Sequence, residues 1–193
     1  MEKISENKDL ILNTAIRLFA EKGYDGVGVQ EICVESKITK PTLYYYFSSK
    51  AGLLSAIIEN KGNSFFNNLQ SAGEYVHDFM FSLTKILECV INFAIENPDF
   101  YKLHCALSCS SFDSEAGKIY EPFAMKIQKL FVDFFLNSSA EIGNMRGKEI
   151  LFSRIFLQTS QAVALDIIQK RLEKTDNLVF SVVHSFAYGV VAG

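Results

Sequence analysis

Tryptophan is absent from this 193-residue chain and proline occurs three times. So little proline leaves long stretches free to run as uninterrupted helix. Cysteine is scarce as well: Cys33, Cys89, Cys105 and Cys109, with no Cys-x-x-Cys among them. That excludes a disulfide framework and gives no zinc-ligand spacing, so buried, reduced thiols are expected. No hydrophobic run is long enough to cross a bilayer. The most apolar stretch, residues 178–193, is 16 residues long and holds Ser181, His184 and Ser185. Residues 1–9 are polar and lack a signal-peptide pattern, so a soluble, cytoplasmic protein is expected. Also missing are a Ser/His/Asp set, paired carboxylates, a Gly-rich phosphate loop and His-Glu-x-x-His. An enzyme is therefore not expected, and neither is a cofactor or a bound metal.

What is present is a core. Hydrophobic residues make up 49% of the chain and charged ones 21%, which excludes disorder. The aromatic content is carried by 17 Phe and 8 Tyr. Apolar residues recur at helical spacing throughout, without strand-like alternation or a hairpin turn, so the expected class is all-α with about nine helices. A first helix is expected from Ser5 or Asn7 to Lys22, closed by Gly23 in the left-handed cap position. Phe79, Leu83, Ile86, Leu87, Val90, Ile91 and Ile95 predict a long amphipathic helix ending near Glu96. Asn97-Pro98 is the next boundary, with Asn as cap and Pro opening the following helix. Further helices are expected around Tyr120–Phe135, 149–171 and 176–192, with a loop over 137–148. The last of these has almost no polar face, and a helix apolar all round must be buried; in a chain this size a second subunit is the natural cover.

The net charge of −3 is unevenly placed. Residues 1–70 carry eight Lys/Arg and eight Asp/Glu, so the whole excess of acid lies beyond them. Within the first part, residues 36–58 hold Lys37, Lys40 and Lys50 and no acid. This locally cationic stretch coincides with a motif. Gln30, Ile32, Cys33 and Val34 sit in a short helix, Ser36-Lys37-Ile38 make a turn, and Thr39 caps a second helix that opens with Lys40-Pro41. Leu43 and Phe47, four apart, face inward, leaving Lys40, Thr42, Tyr44, Tyr45 and Tyr46 as the outward set. No helix exposes three consecutive residues, so one of the three tyrosines is expected to pack. Two short helices joined by a tight turn form a helix-turn-helix whose second helix fits a DNA major groove.

Residues 11–54 resemble the N-terminal domain of the TetR (tetracycline-repressor) family of bacterial transcriptional regulators. The carrying residues are Ala15, Leu18-Phe19, Glu21-Lys22-Gly23-Tyr24, Glu31-Ile32, Ile38-Thr39, Pro41-Thr42-Leu43-Tyr44, Tyr46-Phe47, Ser49-Lys50 and Leu53. The chain departs from the usual pattern at Val27-Gly28, where hydroxyl residues are common, and at Lys37, which replaces the usual turn glycine. Gly52 sits where an acidic or small helix former is common.

The resemblance implies a DNA-binding domain over residues 1–50, a helical effector-binding and dimerisation domain over 51–193, and a helix over about 49–72 linking them. It implies a dimer paired through the last two helices, reading a palindromic double-stranded operator and released by a small, largely apolar effector, as repressors of this type are. By resemblance Thr39 and Tyr46 join the phosphate contacts, Gln30 sits where some members touch a base, and Lys50 meets a phosphate. Lys50 stands in the first turn of its helix, where the helix dipole opposes a cation and an anion would reverse the sign. The expected DNA-binding set is thus Gln30, Thr39, Lys40, Thr42, Tyr44, Tyr45, Tyr46 and Lys50. Phe100, Tyr101, His104, Tyr120, Phe123 and Phe156 are candidates to line an apolar effector pocket, with ordinary core packing as the alternative for each. Two rival readings remain open: a metal- or redox-sensing regulator using Cys105 and Cys109, one helical turn apart, and a helical interaction module without DNA binding.

Overall fold

The computed structural model describes residues 2–139, 142 and 145–191, with side chains described from residue 6 to residue 188 within that set. Among the described residues every element is helical: α1 (Glu2–Lys22), α2 (Val29–Glu35), α3 (Lys40–Phe47), α4 (Lys50–Ile57), a π turn (Ile58–Gly62), α5 (Asn63–Ala72), α6 (Phe79–Glu96), α7 (Pro98–Ser108), α8 (Glu115–Ser138), α9 (Glu149–Ile168) and α10 (Asp176–Val191). Because α4, the π turn and α5 follow one another without a break, the described residues form nine helices, as the apolar periodicity predicts. Part of the expected 137–148 loop (140, 141, 143 and 144), Ala192, Gly193 and the side chains of Val190 and Val191 lie outside the described residues.

By packing, the chain divides into two compact units, Met1–Ser64 with Asp99–Phe123, and Phe65–Pro98 with Ala124–Gly193. The expected boundary at residue 50 falls inside the first unit. In that unit α1 lies against α2 and α4, α2 against α3, and α3 against α4. The reason is the apolar spacing: Ile11, Ala15, Leu18 and Phe19 of α1 are fully buried with Ile32, Leu43, Leu53, Leu54 and Ile57. Each such Leu, Ile or Phe is worth about 1.5–3 kcal/mol relative to exposure. Gly23 ends α1 at φ +75°, the left-handed conformation expected of it. From α7 and the start of α8 come Phe100, Tyr101, Leu103, His104, Tyr120 and Phe123, all buried. A Cβ on Gly62 would stand 3.1 Å from the Phe123 ring, so glycine lets this ring lie close against the π turn.

In the second unit α6 packs against α9 and α10. Leu83, Ile86, Leu87, Val90 and Ile91 of α6 are buried, as are Phe156, Leu157 and Ala164 of α9 and Val179, Val183 and Ala187 of α10. Asp78 caps α6, its Oδ1 accepting the Phe81 N–H at 2.9 Å. Three details differ from the expectation. Ile95 is exposed, and Phe93 takes the inward place, stacked on Phe65 with centroids 4.6 Å apart. The Asn97 amide donates back to the Phe93 carbonyl (3.3 Å), closing α6. α9 stops at Ile168 rather than 171, because Lys170 turns to φ +60° and the Arg171 N–H bonds the Asp166 carbonyl.

Candidate nucleic-acid interface and effector site

Helix α3 begins where its sequence says it should. Thr39 is extended, and its Oγ1 accepts the Thr42 N–H at a long 3.4 Å while meeting the Thr42 hydroxyl at 2.9 Å. Pro41 falls in the first turn, where its missing N–H costs nothing. Leu43 and Phe47 are buried, pinning the helix, and Tyr45 on the other side is 78% exposed. Gln30, Thr39, Lys40 and Tyr44 are exposed or half-buried around it, and Thr42 is half-buried. Tyr46 is the tyrosine that packs: half-buried, its ring meets Tyr45 edge-on at 5.2 Å and Phe47 at 6.1 Å.

The two helices of the motif are held by their turns and by α1. Gly28 caps α2 in extended conformation with no side-chain hydrogen bond. Lys37 takes the turn glycine's place at φ +53°, a conformation costly for a residue with a Cβ. Arg17 of α1 donates to Glu35 at 2.8 Å and to Glu21 at 3.4 Å, and Lys22 pairs with Glu31, so two ion pairs tie α1 to α2. On the far side of α3, Ser48 at φ +63° turns the chain and Ser49 caps α4, its Oγ accepting the Gly52 N–H at 2.9 Å. That tight turn explains Gly52: a Cβ there would lie 2.0 Å from the Phe47 carbonyl oxygen.

Lys50, the first residue of α4, is half-buried. Its ammonium lies 4.1 Å from the centre of the Tyr24 ring and 6.0 Å from that of Phe19. Burial lowers its pKa, opposed by the charges of Asp25 and Glu115. Tyr24 donates its hydroxyl to Glu115 Oε2 at 2.5 Å. Burial first, then this bond, push the Tyr24 hydroxyl well above its ordinary value, so it stays protonated and donating. Neither Tyr24 nor Glu115 carries a sequence signal for this role, since the two lie far apart along the chain.

Five of the six effector candidates come together in the first unit. His104 Nδ1 and the Tyr120 hydroxyl are 2.8 Å apart in a fully buried setting. Burial lowers the His104 pKa to about 4 and raises that of Tyr120, so both are neutral and share one hydrogen bond whose direction is set by the His104 tautomer. The His104 ring packs on Phe100, Tyr101, Tyr120 and Phe123, with centroids 5.5–6.4 Å apart. Phe156 belongs to the second unit, where its ring meets Phe131, Phe135 and Phe186. That unit also holds an open cleft of about 410 Å³ between α5 and α8, where Lys126 lies over the Phe66 ring at 3.8 Å. Nothing in the spacing of Phe66 and Lys126 announces it.

The cysteines are free. Burial, with the neighbouring Cys109, pushes the Cys105 thiol up to about 12, which makes it a poor nucleophile. Among the described residues no group of three or more His, Cys, Asp or Glu is placed to hold a metal ion, and no helix is long and apolar enough to cross a membrane.

Residues 11–57 match the family described as bacterial regulatory proteins, tetR family. Over 158 residues the chain is 28% identical to the HTH-type transcriptional regulator YuxN of Bacillus subtilis (strain 168), covering 80% of this chain and 52% of that protein. Over 102 residues it is 33% identical to IcaR of Staphylococcus epidermidis (strain ATCC 35984), a negative transcriptional regulator of the biofilm operon icaADBC; the match covers 52% of this chain and 53% of IcaR. The chain thus spans about half the length of the curated relatives it matches. A TetR-like transcriptional regulator from Rhodococcus sp. RHA1 shares the fold with a TM-score of 0.75 at 20% identity, covering 97% of this chain and 96% of that one. These relatives are regulators and not enzymes, in line with the missing catalytic motifs.

Proposed function

Through residues 11–57 this chain belongs to the tetR family of bacterial regulatory proteins, and on that premise we propose that it is a DNA-binding transcriptional repressor working as a homodimer in the cytoplasm. The observation that carries the reading is α3, pinned by Leu43 and Phe47 and offering Lys40, Tyr44 and Tyr45 to solvent from an acid-free stretch. Lysine can reach guanine O6/N7, and the tyrosines and threonines suit phosphate and backbone. Gln30 supplies a base contact from α2, and Thr39, Thr42, Tyr46 and Lys50 complete the interface. With so few cations per subunit, tight binding needs two heads spaced ~34 Å apart on one palindrome.

The dimer face is made by α9 and α10. Ile150, Leu151 and Ile155 of α9 and Phe180 and Tyr188 of α10 are 43–62% exposed, an apolar surface that a second copy would cover. The effector is small and largely apolar, and it enters the aromatic cluster of Phe100, Tyr101, His104, Tyr120 and Phe123. The neutral His104–Tyr120 pair is the polar handle; Phe156, in the other unit, is the member of the candidate set with least support. Release needs only that the effector bind the DNA-incompetent state better, at about 1.4 kcal/mol per tenfold change in DNA affinity.

The test is selection from a random duplex pool followed by substitution. The wild-type chain should recover an inverted repeat. Tyr44→Ala and Lys40→Ala should each weaken binding to it by about tenfold (a loss near 1.4 kcal/mol) without lowering the melting temperature. Wild-type affinity in both variants would show that α3 is not the reading helix.

A further inference from the structure

The setting of Lys50 carries an inference that rests on the DNA-binding reading and goes beyond it. A lysine in the first turn of a helix is opposed by the helix dipole. Here it is compensated within the protein: its ammonium sits 4.1 Å from the Tyr24 ring centre, in a setting that includes the acids Asp25 and Glu115. Cation–π attraction of this kind is strongest when the cation is partly desolvated, as this one is. Glu115 does not come from the head of the protein. It is the first residue of α8, whose Tyr120 and Phe123 belong to the aromatic cluster around His104, and it reaches Tyr24 through a 2.5 Å hydrogen bond. One carboxylate, Glu115, therefore holds the ring on which Lys50 rests, and its charge adds to that of Asp25 in favouring the ammonium there.

We propose that Glu115 competes with operator phosphate for Lys50: while a charged Glu115 is bonded to Tyr24, the ammonium is held over the Tyr24 ring, and loss of either the charge or the bond, as in a shift of the first turn of α8, releases it to DNA. Tyr24 and Glu115 are then positioning residues for a DNA contact, acting through Lys50, and Lys50 is the point at which the effector cluster touches affinity. No new charge is needed, since the same cation exchanges an aromatic ring, held by a carboxylate, for a phosphate.

The test uses the full chain and a 30-base-pair duplex of random sequence, titrated by fluorescence anisotropy between 50 and 200 mM KCl. Glu115→Gln keeps an acceptor for the Tyr24 hydroxyl but removes the charge. It should tighten binding roughly fivefold to tenfold at 0.1 M salt and steepen the slope of log K against log salt by about 0.9 per bound subunit, the signature of one added phosphate contact. Tyr24→Phe, which cuts the tether but keeps the ring, should move the slope in the same direction. In a Lys50→Gln background both effects should vanish. An unchanged or shallower slope in Glu115→Gln would overturn the competition, and so would equal tightening in the Lys50→Gln background, which would mean general charge removal. If the wild type fails to bind and Glu115→Gln binds, the competition stands in its strongest form. If neither binds, the DNA-binding reading itself falls; a wild type that binds alongside a neutral Glu115→Gln sinks the competition alone.

Discussion

His104 shows how a single buried group ties stability to pH. Its folded pKa is lowered to about 4 by burial, against 6.5 in an unfolded chain. The unfolded chain therefore takes up the proton first. The contribution is fully present above pH 6.5 and is lost as pH falls from 6.5 toward 4, at about 1.4 kcal/mol per pH unit and up to about 3 kcal/mol in all. Thermal melting from pH 7 to pH 4 should show a steeper fall for the wild type than for His104→Phe; parallel curves would mean that His104 is not buried neutral. In the sequence, His104 is one histidine on an apolar stretch, more often a core hydrogen-bonding group than part of a binding site. Its partner Tyr120 lies on another helix, and only folding brings the pair together. Lys50 is the converse case. Its position at a helix start suggests an anion nearby, against a solvated lysine that tolerates the dipole, but it does not point to a protein carboxylate, Glu115. By contrast Leu43 and Phe47, one turn apart on a short helix, announce their burial in the sequence itself.

At the level of elements, helix boundaries were legible where Thr39 and Gly23 carried them, and the Asp78 cap of α6 emerged only in the structure. Thr39, Ser49 and Asp78 each accept the backbone N–H three residues on, and Gly23 closes α1. A boundary set by backbone torsion in a residue that does not advertise it was not legible, as with Lys170 at the end of α9. The π turn at Ile58–Gly62 has no sequence mark either; it is recognisable only by Gly62 lying against Phe123. The turn between α2 and α3 offers a measurable consequence. Lys37 holds φ +53° where glycine would be unstrained, so Lys37→Gly should raise stability by about 0.5–1 kcal/mol, after allowing for glycine's greater freedom in the unfolded chain. Urea unfolding with an unchanged m-value would report it, and a drop in the midpoint would show that the turn does not bear the strain.

For the whole molecule, the all-helical class and the helix-turn-helix head could be read from spacing and motif, while the packing into units could not. α7 and the start of α8 join residues 1–64 in one compact unit, where Glu115 bonds Tyr24 and the Phe123 ring lies against Gly62, and no local pattern assigns an aromatic helix to one neighbour over another. The exposed apolar residues of α9 and α10 pose the opposite case. Their pattern asks for burial, yet Leu151, Phe180 and Tyr188 remain 55–62% exposed in a single chain. In the proposed dimer a second copy covers them and sets the spacing of two α3 helices. Sedimentation equilibrium of the full chain, alone and on the selected inverted-repeat duplex, tests this most directly. The prediction is a species of two 21.7 kDa chains at micromolar concentration and two chains per duplex; a single chain in solution, or one chain per duplex, would contradict it.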